Sequence, residues 1–226
     1  MGLRDGIPIC LGYFSVSFAF GIFACGSGLS VLEAVLISMF NVTSAGQLAA
    51  VPIIVGGGGF LELALTQLII NLRYALMSVS LSQKTDAKFR GVYRWLLGFF
   101  MTDEIFAVAS TEKSVSRLYF LGLATMPFCG WTLGTFFGAL LGNILPAIVM
   151  NALCIAIYAM FVAIIVPQTK AEKSLLVVVV VAILLSTAFY YLPYLSRVSA
   201  GLAISICAIV SAVLGAVFFP KKEDDA

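Results

Sequence analysis

A chain of 226 residues that is 62% hydrophobic and 11% charged is not a soluble domain, where roughly a quarter of the residues carry charge. Its apolar stretches are long enough for helices of about 20 residues, the length that crosses a hydrocarbon core of roughly 30 Å. The net charge of +2 says little, so the information lies in where the charges fall.

The expectation is an all-α, polytopic membrane helical bundle forming one membrane domain over residues 1–226. The first apolar segment, about 7–27, follows Arg4 and Asp5 directly and reads as a spanning helix, with no cleavable signal peptide. The second, about 30–55, holds "FNVTSAGQLAA" at its centre, with Asn41, Thr43, Ser44 and Gln47 at mid-depth. Ser38, Asn41 and Ser44 step by three along one stripe. Thr43, Ser44, Gly46 and Gln47 are poor helix formers in combination, which suggests a local break offering backbone N–H groups. Interhelical hydrogen bonding is the competing reading. "GGGGF" at 56–60 is a turn, and no lysine follows to make it a phosphate cradle. Glu33 and Glu62 fall near segment ends and read as interfacial.

The third segment, about 60–82, carries Arg73 near its centre. A charge at that depth costs about 2.5–3.5 kcal/mol on insertion scales, so it is expected to face a cavity or a partner. Thr66, Arg73 and Ser80 are spaced by seven and share one face, expected to point inward. Asn71 lies about 160° around the helix from Arg73. After the basic stretch "SQKTDAKFRGVYR" (82–94), the fourth segment, about 95–111, places Asp103 and Glu104 at mid-depth. Neighbouring helical residues point about 100° apart. One of these carboxylates is therefore expected to pair with Arg73, leaving the other for another role. A purely structural ion pair is the alternative.

Segments at about 117–142, 145–167, 174–192 and 198–219 complete the chain, with short charged turns at 112–117 and 168–173 and "KKEDD" near the end. The five cysteines are scattered through apolar segments and read as small buried hydrophobes. With no histidine in the chain, neither a metal site nor a cofactor is expected. The segment glycines read chiefly as close-packing positions.

Segments 1–3 (about 7–82) and 4–6 (about 95–167) read as two copies of one unit, with C-terminal helices at about 174–219 appended. "RYALMSVSL" (73–81) resembles "IYAMFVAII" (157–165), Gly46 matches Gly130, and "GYF" (12–14) resembles "GFF" (98–100). Such repeats suit secondary transporters, whose sites lie near the midplane between the copies. Charge placement argues against eight full crossings. Lys84, Lys88, Arg90 and Arg94 assign the 83–94 loop to the cytoplasm. Eight crossings would then put both termini outside, with Arg4, Lys113, Arg117, Lys170, Lys173, Lys221 and Lys222. One broken or re-entrant segment per copy, either segments 1 and 4 or segments 2 and 5, removes the conflict. Both termini are then cytoplasmic.

"GIPICLGYFSVSFAFG" (6–21), "TSAGQLAA" (43–50), "NLRYALMSVSL" (71–81), "LLGFFMTDEIFAVA" (96–109) and "IYAMFVAIIVP" (157–167) together resemble the AzlC family of bacterial membrane proteins. The resemblance runs from about residue 6 to 219. It implies a multi-pass protein of the bacterial cytoplasmic membrane that moves branched-chain amino acids, chiefly outward, with a small AzlD-type membrane subunit as partner. Carried onto this chain, it singles out Gly46, Gln47, Asn71, Arg73, Thr102, Asp103 and Glu104. Many members read "NLRH" where this chain has Tyr74, so proton coupling would fall to Asp103 or Glu104.

On this reading Arg73 binds the substrate carboxylate, helped by Asn41, Thr43, Ser44, Gly46, Gln47 and Asn71. Phe99, Phe100, Ile105 and Phe106 supply an apolar wall. No nucleotide-binding motif is present, so an ion gradient supplies the energy. Two other classes stand beside the transporter. One is a channel or scaffold subunit active only through its partner. The other is a membrane-embedded enzyme, which lacks support because no histidine and no mid-depth serine–lysine pair is found.

Overall fold

The structure, a computed structural model, describes residues 1–86, 88–89, 91–142, 144, 146, 148, 155, 162, 165–167, 169–170 and 172–219. Most of the sixth apolar segment, including Tyr158, lies outside the described residues, as do Arg90, Cys154, Lys221 and Lys222. In chain order the helices are α1 (Gly2–Gly26), α2 (Val31–Phe40), α3 (Ser44–Val55), α4 (Phe60–Ser82), α5 (Val92–Phe99), α6 (Asp103–Ser110), α7 (Arg117–Leu141), α8 (Lys173–Tyr191) and α9 (Ala200–Phe218). Among the described residues, α1, α4, α7, α8 and α9 are long and apolar enough to cross a membrane. The chain is an all-α, multi-pass membrane bundle. It divides into two compact units, Met1–Leu48 with Asn71–Ile157 and Ala49–Ile70 with Tyr158–Ala226.

The first unit is built on α1 and α7. Gly6 lies against Leu123, Gly130 against Cys10, Gly134 against Phe14 and Gly138 against Phe18. The numbers rise together, so the two helices run parallel. Glycine is what lets the backbones meet. A Cβ on Gly130 would sit 2.6 Å from the Cys10 carbonyl oxygen, and one on Gly134 2.5 Å from that of Phe14. Without an oil–water difference between helix and lipid, such close packing is a main source of helix association.

The ends of four helices meet at one face of this unit. The Asp86 N–H donates to the Val115 carbonyl at 3.1 Å, and the Val115 N–H donates to that of Lys84 at 2.9 Å. The Lys84 ammonium reaches the Ser110 carbonyl at 2.8 Å. The Arg117 guanidinium lies 5.0 Å from the centre of the Tyr93 ring. The end of α4, the start of α5, the end of α6 and the start of α7 are therefore neighbours. It follows that α5 and α6 form a hairpin that enters and returns on the same side. Leu81, Phe89, Leu97, Met101, Ile105 and Phe120 form the apolar cluster that holds it. Because α1 is parallel to α7, Arg4 lies at this face with Lys84, Lys88, Arg94, Lys113 and Arg117. This face thus carries an excess of positive charge.

The expected break therefore exists in segment 4, but its partner is neither segment 1 nor segment 5. Both α1 and α7 are continuous over 25 residues, despite Pro8 and Pro127, because glycine-mediated packing holds them along their length. The second break is in segment 2, at Asn41–Thr43, between α2 and α3. It falls one turn earlier than expected from Thr43–Gln47, since Ser44, Gly46 and Gln47 already form the first turn of α3. Ser30 caps α2 in a reciprocal capping box with Glu33, which satisfies backbone donors at the entry to the broken segment.

In the second unit, α8 and α9 pack antiparallel, and a Cβ on Gly215 would meet Val178 Cγ2 at 2.7 Å. The start of α4 runs parallel to α9. The Gly201 N–H donates to Glu62 Oε1 at 3.0 Å, and Thr66 Oγ1 lies 3.5 Å from Ser205 Oγ. Glu62 is thus tied to a helix N-terminus, where a carboxylate is favoured.

Candidate functional site

The tip of the α5–α6 hairpin is a three-residue interruption, Phe100–Thr102. Thr102 is extended (φ −136°, ψ 167°) and its hydroxyl accepts the Ile105 N–H, capping α6. This cap places Asp103 and Glu104 in the first helical turn, where negative charge is stabilised by the helix dipole. The two carboxylates take different partners. Arg73 Nη2 lies 2.9 Å from Asp103 Oδ2. Glu104 Oε2 accepts the Tyr13 hydroxyl at 2.5 Å. Tyr13 is near the middle of α1, a helix about 37 Å long at 1.5 Å per residue. The hairpin tip is thereby at mid-depth.

The Arg73 and Asp103 side chains remain 54% and 47% exposed. A charge pair left this open at mid-membrane requires water or a ligand beside it, because hydrocarbon cannot solvate it. Arg73 also donates to the Tyr74 hydroxyl at 3.0 Å, and its guanidinium stands 4.8 Å from the Tyr74 ring centre. Tyr74 Oη in turn lies 3.3 Å from Thr43 Oγ1. A chain of polar contacts thus joins the hairpin tip to the α2–α3 break.

The break is anchored on its other side. Gln47 Nε2 donates to Ser38 Oγ at 2.6 Å, and Ser38 Oγ lies 2.6 Å from Thr135 Oγ1 on α7. Ser38, Gln47 and Thr135 are each fully buried. A bond between residues nine apart means that the chain bends back at Asn41–Thr43. The break, α4 and α5 together line a cavity of about 610 Å³, where Asn41, Thr43, Asn71 and Tyr74 are on the wall.

The structure therefore places Asn41, Thr43 and Asn71 on the cavity wall and joins Arg73 and Asp103 to it through Tyr74, with Glu104 beside Asp103 in the chain. Ser44, Gly46 and Gln47 belong to the first turn of α3, with Gln47 committed to Ser38. Thr66 is buried beside Ser205 and Ser80 is exposed, so the face they share with Arg73 is not uniformly inward. The expected apolar wall is corrected in part. Phe99 lines the cavity, while Ile105 is buried in the apolar cluster with Phe100 and Phe106 packed on it. A break at 100–102 turns their side chains onto the hairpin's own core. Tyr13 was not singled out from the sequence. The signal was a lone phenol inside an apolar helix facing a segment with two adjacent carboxylates. Among the described residues no cluster of histidine, cysteine or carboxylate side chains has the makings of a metal site.

Comparison with known proteins places the chain among membrane proteins. A family model described as AzlC protein matches residues 8–145. An Archaeoglobus fulgidus protein named "Uncharacterized membrane protein" is 31% identical over 173 residues, 76% of each chain. The Escherichia coli "Inner membrane protein YgaZ" is 30% identical over 185 residues, 78% of this chain and 75% of that one. The Bacillus subtilis "Branched-chain amino acid transport protein AzlC" is 23% identical over 172 residues, 74% of this chain and 66% of that one. No solved structure matches. The chain belongs to the AzlC family of membrane proteins.

Proposed function

We propose that the protein carries branched-chain amino acids out across the bacterial cytoplasmic membrane, driven by a proton gradient and working with a small AzlD-like membrane subunit. The observation that carries this reading is the half-open Arg73–Asp103 pair at mid-depth. Its setting, between a hairpin tip and a helix break, suits a gated binding site. The name of the Bacillus subtilis relative supports the substrate class.

In the empty site Asp103 neutralises Arg73. An incoming carboxylate matches the planar fork of the guanidinium and can replace Asp103 bidentately. The substrate ammonium then has a carboxylate within the same site. Glu104 is hydrogen-bonded by a neutral phenol, so its charge has no cation of its own. With Asp103 committed to Arg73, Glu104 is the carboxylate left to carry the coupling proton. With Arg73 charged and both acids ionised, the formal charge is −1; one proton makes it zero. A bound zwitterion leaves it at zero, so a protonated, loaded site crosses without net charge. The two three-segment copies form the frame of this carrier, with Asn41, Thr43 and Asn71 as further substrate contacts and Ser44, Gly46 and Gln47 fixing the break.

The test is L-leucine efflux from loaded membrane vesicles, with and without a pH gradient, with and without the small subunit. Gradient-dependent efflux is the expected result. Efflux that only follows the leucine gradient supports the channel reading instead, and absence of any leucine movement removes the transport reading.

A further inference from the structure

Gly98 serves neither a positive-φ turn nor close helix packing. It is the next-to-last residue of α5, and it is not among the glycines with positive φ, which are Gly28, Gly57 and Gly91. Nor does it serve close packing. At Gly130, Gly134 and Gly138 an added Cβ would strike the backbone of α1, whereas at Gly98 it would meet nothing within 4 Å. What lies in front of Gly98 is the cavity of about 610 Å³.

That cavity has two characters. Asn41, Thr43 and Asn71 line it, and Tyr74 connects it to Arg73 through the 3.0 Å bond of its hydroxyl. The rest of the lining includes Val42, Ala75, Phe99 and Met101, with the exposed Trp95 at the rim. Polar groups at this depth reject lipid tails, and the apolar lining favours a ligand with a greasy part. Arg94, at the basic face, also lines it, so the cavity reaches from that face towards the charged centre.

We propose that this cavity is the chamber for the substrate's side chain, entered from the cytoplasmic face, and that Gly98 sets the largest side chain accepted. The inference rests on the transport reading and adds its specificity determinant. The ligand class is an L-amino acid whose carboxylate is held by Arg73 and whose aliphatic side chain lies across Gly98 between Trp95 and Met101. Space at Gly98 is the element that admits a branched chain.

The experiment compares initial efflux rates of L-leucine and L-alanine for the wild type and the Gly98→Ala, Gly98→Val and Gly98→Leu variants, in vesicles at matched membrane abundance. The ratio of leucine to alanine rates is expected to fall stepwise, by roughly tenfold or more at Gly98→Leu, as one or two methylenes decide discrimination in an apolar pocket. A ratio that stays constant along the series overturns the proposal. A wild type that moves neither amino acid defeats the transport reading rather than the chamber. The chamber is then tested by intrinsic fluorescence of the purified full chain. Addition of L-leucine should change the emission, the change should vanish in Trp95→Phe, and it should weaken in Gly98→Leu. No leucine-dependent change, or one that persists in Trp95→Phe, overturns it.

Discussion

The Tyr13 hydroxyl donates to Glu104 at 2.5 Å, across 91 residues of sequence. This bond fastens the tip of the α5–α6 hairpin to the middle of α1 and leaves Asp103, its neighbour, to Arg73. Tyr13→Phe removes the hydroxyl but keeps the ring, which stands 5.1 Å from that of Trp131. The variant is expected to insert normally. Its efflux should fall by roughly 10- to 100-fold, matching the loss of a hydrogen bond to a charged group. The pH dependence of efflux should also shift, which a merely structural role for Tyr13 would not produce. Initial rates across a pH series check both.

The parallel α1–α7 seam predicts a sharp contrast between glycines. Gly134→Leu drives a side chain into the Phe14 carbonyl and should destabilise the protein by about 1–3 kcal/mol or more, the usual cost of overpacking. Gly12→Leu, where an added Cβ meets nothing within 4 Å, should be tolerated. Thermal unfolding of both variants in one detergent decides the matter.

The re-entrant α5–α6 hairpin fixes sidedness. In a background free of native cysteines, Lys88→Cys and Lys113→Cys should both react from the cytoplasmic side. A helix of 23 residues, α4, covers about 34 Å and ends at that face. Gly59→Cys, just before α4, should therefore react from the opposite side. Opposite sidedness for Lys88→Cys and Lys113→Cys would convert the hairpin into a full crossing.

The Thr102 cap is a local prediction. Thr102→Ala should cost about 1 kcal/mol of stability and lower transport, because α6 would present Asp103 and Glu104 less firmly. Thr102→Ser should restore both, as read by unfolding and efflux on the same samples.

Much of this arrangement was legible in the sequence because charge is expensive in a membrane. Arg73 and the adjacent Asp103 and Glu104 stood in apolar segments, so a pairing of Arg73 with one of the two carboxylates follows, but not which one. The conflict between the basic loop at 83–94 and the other cations pointed to segments that do not cross. Which segments break was not legible. Pro8 and Pro127 are stronger helix-breaking signals than anything at Phe100–Thr102, yet α1 and α7 run through them, because packing along a glycine seam outweighs local propensity. The apolar wall failed for a related reason. Phe100, Ile105 and Phe106 sit beside the break in sequence, but they belong to or pack on the buried apolar cluster rather than the cavity wall. Tyr13 was hidden because a tyrosine in an apolar helix has no distinguishing pattern until its partner is known.

Recognition of a substrate carboxylate by Arg73 is tested by Arg73→Lys. Lysine keeps the charge that Asp103 needs, so the pair at 2.9 Å is preserved as an ion pair and the bundle stays neutralised. It lacks the planar fork that binds a carboxylate through two parallel bonds. The measurement is L-leucine efflux at matched membrane abundance. Insertion should be normal and efflux reduced by roughly 10- to 100-fold, the value of one charge-assisted hydrogen bond. Wild-type efflux from Arg73→Lys would leave Arg73 as a structural counter-ion to Asp103 and remove it from substrate recognition.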